Sequence, residues 1–313
     1  MANLRDISRR MASVKATMQI TRTMEMVSTA KIRAALERAE EAGPYKDAIT
    51  RMLAHVAHAS SAADQPLLEK HDEERSVLFI VIASDRGLAG GFNVVPERSV
   101  HSQITELQAR GVKCSVITCG KEPTDYFRSR VFEPVMSFEG QSSEPTMDEA
   151  DRIASFVMDG YEAHSYDRVS IVYHHARNRM EQVLVADQLL PVEVADEGLS
   201  MPNDPREGEE GMQEIQPVHG TSAAEADYTF DPSAAEVLGY LIPAYVRTVI
   251  YHALLDSAAA EHGARRRAMQ SATDNATAVV ANLSRTYNRV RQGSITTELT
   301  EIVGGASALE EGE

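Results

Sequence analysis

No proline interrupts the chain from Glu261 to Leu309, and none occurs from Asn3 to Gly43. Proline is the residue that a helix interior tolerates least, so two such runs with apolar residues at helical spacing predict a long helix at each end of the sequence. Counted from Ser233 to Val303, an unbroken helix would be about 105 Å long, far beyond the diameter of a small domain, and is expected to leave any globular body. With an α/β pattern between them, such helices describe a shaft closed by its own termini rather than a compact enzyme.

In the first helix Leu4, Ile7, Met11, Val14 and Met18 alternate in threes and fours, the spacing of a coiled-coil seam. The apolar positions then move to Ile20, Met24, Val27 and Ala34, which predicts that a different face is buried further along. A second seam is read at Ala276, Val279, Leu283, Tyr287 and Val290, and the two seams predict antiparallel pairing of the termini. Gly43-Pro44 predicts a kink with helix resuming from Tyr45 to Ala63, and Pro243 is expected to bend the last helix or mark its first turn.

Between the helices, residues 64–76 (DQPLLEKHDEERS) form a charged connector. VLFIVIAS, Val77 to Ser84, is a continuous apolar run of strand length and reads as a buried parallel strand. Helical and strand patterns then alternate: helices over Val95 to Arg110, Thr124 to Arg130 and Met147 to Ala163, strands over Val112 to Thr118, Arg168 to His174 and Glu181 to Val194. This is the βαβ signature of a doubly wound sheet. Residues 196–227 hold nine acids and one Arg, with three Pro and four Gly, and are expected to be a loop insertion on the surface.

With 313 residues, 43% of them apolar, the chain can bury a sizeable core. No run approaches the roughly 20 apolar residues that span a bilayer, and the opening MANLRDISRR lacks the apolar stretch of a signal peptide, so an intracellular protein is expected. Cys114 and Cys119 are the only cysteines; an offset of five on a strand sends them to opposite faces, so they are expected to act as small buried hydrophobes, not a disulfide. The net charge of −16 argues against nucleic acid, but it is unevenly placed. Residues 1–40 hold eight Lys/Arg against four Asp/Glu, and residues 261–292 hold six against two, so both helices are basic and suit an acidic protein partner or phosphates.

No catalytic centre is assembled in the sequence. The loop SDRGLAGGFN, Ser84 to Asn93, stands where an α/β fold binds phosphate, but its glycines fit neither G-x-G-x-x-G nor a P-loop, and a tight strand-to-helix turn is the simpler expectation. His174 and His175 point to opposite faces of a strand with no acid or Cys at ligand spacing, and His55 and His58 lack a third ligand; neither pair is expected to hold metal. Arg265-Arg266-Arg267 is expected to be a solvated helical face.

Four segments together resemble one family: TMQITRTMEMVSTAKIR (Thr17 to Arg33), SDRGLAGGFN, EHGARRRAMQSATDNA (Glu261 to Ala276) and VRQGSITTELTEIVGGASA (Val290 to Ala308). The last carries Ile295, Thr296, Glu298, Glu301, Gly305 and Ala306 in the pattern I-T-x-E-x-x-E-x-x-x-G-A. In this order and over nearly the whole chain they are similar to the gamma subunit of F-type ATP synthases.

The resemblance implies an α/β fold in which a Rossmann-like parallel-sheet domain is inserted between long N- and C-terminal helices that form an antiparallel coiled coil. Its expected divisions are a shaft helix over 1–63, a foot over 64–231 containing the acidic insertion 196–227, and a second shaft helix over 232–313. It implies a non-catalytic rotor without cofactor or metal, turning inside a ring of alpha and beta subunits and resting on epsilon and the c-ring, peripheral to the cytoplasmic face of a bacterial inner membrane. Met24, Arg265, Arg291, Gln292, Thr296 and Glu298 match positions that contact beta subunits or affect coupling, and Tyr228 and Asp231 match positions near the c-ring. The alternative from the residues alone is a dinucleotide-dependent oxidoreductase with helical dimerisation arms, and a third is a scaffold built on a helical hairpin.

Overall fold

The structure, a computed structural model, describes residues 4–59, 65–71, 73–192, 194–195, 198–199 and 233–310. The N-terminal helix α1 is Leu4–Ala59 and the C-terminal helix α5 is Ala234–Glu310. Between them lie β1 (Ser76–Ile82), α2 (Val94–Ala109), β2 (Lys113–Cys119), α3 (Lys121–Arg128), β3 (Met136–Phe138), α4 (Met147–Glu162), β4 (Arg168–His175), β5 (Val183–Leu190) and the short pair β6 (Val194–Ala195) and β7 (Gly198–Leu199). The chain divides into two compact units, Met1–Ser28 with Arg266–Glu313, and Thr29–Arg265.

The second unit holds a five-stranded sheet in the order β3-β2-β1-β4-β5, with β1, β2, β3 and β4 parallel and β5 antiparallel at one edge. Strand β1 is buried on both faces, which is why its sequence is continuously apolar. Leu78, Ile80 and Ile82 face one core together with Ile49 and Leu53 of α1, Ile153 and Val157 of α4, and Leu238, Val246 and Ile250 of α5. Val77, Phe79 and Val81 face the other with Val100, Ile104 and Leu107 of α2. The two cysteines follow the same alternation: Cys119 belongs to the first core, Cys114 packs against the second, and both are free thiols.

The helix α1 continues through Gly43-Pro44, in line with the helix expected to resume from Tyr45, and α5 runs through Pro243, which lies in its interior and not in its first turn. The carbonyls that lose their partners belong to Glu40 and Gly239, both exposed residues that water reaches, so the helices tolerate the missing N–H. The strand expected from Glu181 to Val194 stops at Leu190, before a cis Leu190-Pro191 bond, and the three-residue edge strand β3 was hidden by its brevity. A window of α5 reaches a mean hydropathy of 1.2, the composition of a membrane span, yet 56% of it is buried inside the protein, where its apolar residues pack on the sheet.

Helix α4 begins at Thr146, whose hydroxyl accepts from the Glu149 N–H at 3.3 Å. The Glu149 carboxyl is itself buried, with Oε2 lacking a hydrogen-bond partner. Burial first, then the charge of Asp85, pushes its pKa up to about 7 against the opposing pull of Arg152. A carboxyl whose folded pKa lies above its unfolded value contributes stability that is fully present below the unfolded pKa and lost as pH rises through about 7. Glu149→Gln should therefore raise stability at pH 8 by on the order of 3 kcal/mol and leave it little changed at pH 4. Denaturant melts at the two pH values test this, and an equal effect at both would contradict it.

Candidate functional site

The first unit is a helix pair whose seam is set by polar as well as apolar residues. Along α1, Leu4, Ile7, Met11, Val14, Met18 and Thr21 are buried or half-buried, and along α5 the same holds at Met269, Thr273, Ala276, Val280, Leu283, Tyr287, Val290 and Ser294. Thr21 Oγ1 lies 2.7 Å from Thr273 Oγ1, and Thr277 Oγ1 donates to Met18 Sδ at 3.4 Å. Rising numbers in one helix thus meet falling numbers in the other, and the pairing is antiparallel. A cysteine at each of positions 21 and 273 should form a disulfide under mild oxidation, whereas failure to cross-link with both thiols accessible to reagent would refute this register.

The expected change of seam to Ile20, Met24, Val27 and Ala34 is not what the helix does. Ile20 is 61% exposed, Val27 is 52% exposed and Ala34 is exposed, while the seam continues in phase through Thr21 and Ser28. Threonine fits an inward position because its hydroxyl is bonded to Thr273 and to the Met18 carbonyl. Met24 alone of the four is half-buried. In α5, Val279 is 46% exposed and its neighbour Val280 takes the seam.

The consequence is a helix pair with apolar side chains outside as well as inside. Ile20, Met26, Val27 and Val279 are exposed, and so are Ile295, Leu299, Ile302 and Val303 near the end of α5. Ile295, Leu299, Ile302 and Val303 recur at helical spacing on one face of α5, and an exposed apolar face is the kind of surface that a partner covers. Among these residues Arg291, Gln292, Thr296 and Glu298 are also exposed; the Thr296 hydroxyl donates to the Gln292 carbonyl at 2.9 Å, and among the described residues none forms a hydrogen bond or ion pair with the side chains of Arg291, Gln292 or Glu298. Tyr228, Asp231 and the acidic insertion apart from Gly198–Leu199 lie outside the described residues.

The expected solvated arginine face is corrected at Arg265, the last residue of the second unit. Arg267 is exposed and Arg266 half-buried, but Arg265 is buried: its Nη1 donates to Glu261 Oε1 at 2.5 Å and its Nη2 to the Arg86 carbonyl at 3.0 Å. Glu261 stands one helical turn before Arg265, a pairing that sequence spacing could have signalled. His262, between the charges of Arg265 and Lys31, has its pKa lowered to about 4 by burial first and by those cations second, so it is neutral near pH 7.

His175 also has an acidic partner after all. Its Nδ1 meets Asp256 Oδ2, and Asp256 Oδ1 accepts the Ala176 N–H at 2.9 Å, which fastens α5 to the end of β4. No local spacing could announce a partner 81 residues away. His174 points the other way, with Nε2 donating to the Phe92 carbonyl at 3.1 Å. Among the described residues, no group of three or more His, Cys, Asp or Glu is placed to hold a metal.

The loop after β1 uses its polar groups on the protein itself. The Ser84 N–H donates to Asn93 Oδ1, the Asp85 N–H to Ser142 Oγ, and the Asp85 carboxylate accepts from the N–H groups of Lys121, Gly140 and Ser142. Burial alone would raise the Asp85 pKa, but these donors outweigh it and hold the carboxyl below its ordinary value. With its carbonyls facing a guanidinium and its first amides occupied, the loop is a tight turn and gives no support to a dinucleotide site.

The family model described as ATP synthase matches residues 3–309. The chain is 40% identical to the ATP synthase gamma chain of Pelotomaculum thermopropionicum, over 99% of this chain and 100% of the relative, and 38% identical to that of Desulforamulus reducens over the same shares. A chain in the Euglena gracilis mitochondrial ATP synthase (OSCP, F1 and c-ring, rotational state 3) aligns with a TM-score of 0.65 at 19% identity, covering 99% of this chain and 95% of that one. A chain in the central stalk and c-ring of the Tetrahymena thermophila mitochondrial ATP synthase aligns with a TM-score of 0.53 at 21% identity, covering 81% and 99%. These structural likenesses speak to the fold.

Proposed function

The chain belongs to the ATP synthase family, with the gamma chains, and from that premise we propose that it is the central-stalk rotor of an F-type ATP synthase. It is a non-catalytic subunit; ATP chemistry resides in the beta subunits. The observation that carries this reading is the helix pair with apolar residues on its outer side, which needs a surrounding partner to bury Ile20, Val27, Leu299 and Ile302.

The physical content of coupling is differential binding. A shaft that is not symmetric about its axis touches each of several identical subunits differently, so each orientation favours a different nucleotide-binding state in each subunit. Turning the shaft exchanges those preferences, and by reciprocity ATP binding and hydrolysis turn the shaft. In this reading the alpha and beta subunits surround the helix pair, and the epsilon subunit and c-ring engage the sheet-bearing unit. Met24, Arg291, Gln292, Thr296 and Glu298 take part in coupling contacts to beta. Tyr228 and Asp231 approach the c-ring, and Arg265 belongs to the coupling region.

The protein is associated with the membrane-bound complex, and we place it on the cytoplasmic face, as bacterial relatives favour. Affinity purification of the tagged chain from detergent-solubilised membranes tests the assignment. A stoichiometric set containing alpha, beta and c chains is expected, and a soluble homodimer without them would overturn it.

A further inference from the structure

At the end of the sheet away from the loop after β1, where β1, β2 and β4 begin, the second unit carries a cleft of about 970 Å³. The connector from α1 to β1, the start of β2 and the turn between α4 and β4 form its wall. That wall is polar throughout: among the described residues no Ala, Val, Leu, Ile, Met or Phe lines it, so it offers nothing to an apolar ligand.

His71 is the best-held side chain of the wall. It is 10% exposed, and its ring lies against those of Tyr161, with centroids 4.6 Å apart, and His164, at 4.4 Å. Its Nδ1 is 2.9 Å from Asp167 Oδ1, while Asp167 Oδ2 accepts the N–H groups of Arg75 and Ser76 at 2.8 Å. Burial alone would raise the Asp167 pKa, but these donors outweigh it and keep the carboxyl below its ordinary value. A carboxylate only accepts, so Nδ1 carries the hydrogen. Nε2 is then the open position of the ring, with no hydrogen-bond partner among the described residues.

His164 follows α4 in the left-handed region, with φ of 52°. Its N–H donates to the Tyr161 carbonyl and the N–H of Ser165 to that of Gly160, a helix end at which glycine is the default. What the histidine adds there is a ring against His71.

The charges around the cleft are unequal once their internal partners are counted. Asp167 uses both oxygens as described, and Glu73 is taken by Arg75, whose Nε donates to it at 2.8 Å. Lys70 and Lys113 are exposed and form no hydrogen bond or ion pair among the described residues, which leaves two ammonium groups against the single carboxylate of Glu69. We propose that the cleft binds a phosphate dianion, free or as the headgroup of a lipid, with its oxygens on Lys70, Lys113 and the open nitrogen of His71, beside His164. Two ammonium groups supply charge and the protonated imidazole a directed donor, a set that suits phosphate oxygens. All of these residues lie in the second unit, so the site stands whether or not the chain is a rotor.

Isothermal titration of the full chain with sodium phosphate, against sodium chloride at equal ionic strength, tests the site directly. Saturable binding is expected in the wild type, weakened by about tenfold or more in each of Lys70→Ala and Lys113→Ala, the range for losing a charged hydrogen bond. His164→Gly relieves the left-handed residue, so it should keep the fold while weakening binding. Lys121→Ala, at the other end of β2, should bind like the wild type. Flotation with phosphatidylcholine vesicles, with and without phosphatidic acid, separates the two sources. Flotation that needs both phosphatidic acid and the two lysines assigns a headgroup, and titration by free phosphate without flotation assigns the free ion. A wild-type chain that does neither, or Lys70, Lys113 and His164 variants that bind as well as it does, would overturn the proposal.

Discussion

Replacing Arg291 and Gln292 together by alanine is expected to lower multi-site ATP turnover of the assembled complex by roughly 10- to 150-fold, while single-site hydrolysis is almost unaffected. Both side chains are exposed on α5 and form no hydrogen bond or ion pair among the described residues, so their removal leaves no buried group there unsatisfied. Alanine is the better helix former, and helix content should be preserved. The loss falls on the contact with the ring. An arginine presents donors in a rigid plane, so its bond to a carboxylate or carbonyl depends on orientation, and a turning shaft makes that bond with one beta subunit at a time. Hydrolysis at one site does not require the shaft to move on, but cooperative turnover does. Equal loss of both rates, or of neither, would count against a contact at this level and place the coupling contact elsewhere on the helix.

Asp256→Ala should destabilise the isolated chain by about 2–5 kcal/mol, since it leaves two buried hydrogen-bonding groups without their partner at about 1–3 kcal/mol each. One carboxylate serves two partners here, the His175 ring and the Ala176 N–H, and all three groups are buried. Its removal strands a backbone donor at the end of β4 and a ring nitrogen beside it, and water does not reach either. Asp256→Asn keeps an acceptor for one of them and should lose less. Urea titrations of the three proteins measure this directly; a loss below about 1 kcal/mol for the alanine variant would show that the pair does not fasten α5 to the sheet.

Much of the fold was legible because single-strand and single-helix patterns carry it. The unbroken apolar run at Val77 announced a strand buried on both faces, and the proline-free ends announced the long helices. Two kinds of position were not legible. The seam at Thr21 and Ser28 is polar, and a search for apolar spacing passes to Ile20 and Val27, which in fact face outward. Val279 and Val280 are chemically identical neighbours, and only the partner helix decides which is covered. At the site, Arg291, Gln292, Thr296 and Glu298 were marked by resemblance and stand on the exposed side of α5, whereas Arg265, marked by the same resemblance and read from its neighbours as part of a solvated run, is buried. A run of like charges carries no sign of the carbonyl groups nearly 180 residues away that bury one of its members.

The central claim is that this chain turns. A reporter attached through an engineered cysteine on the exposed side of α2, in complexes immobilised by their beta subunits, should rotate persistently in one direction when ATP is added and stop when ATP is removed. A reporter that stays still or jitters without direction, in complexes that are hydrolysing ATP and contain the chain in stoichiometric amount, would contradict the account.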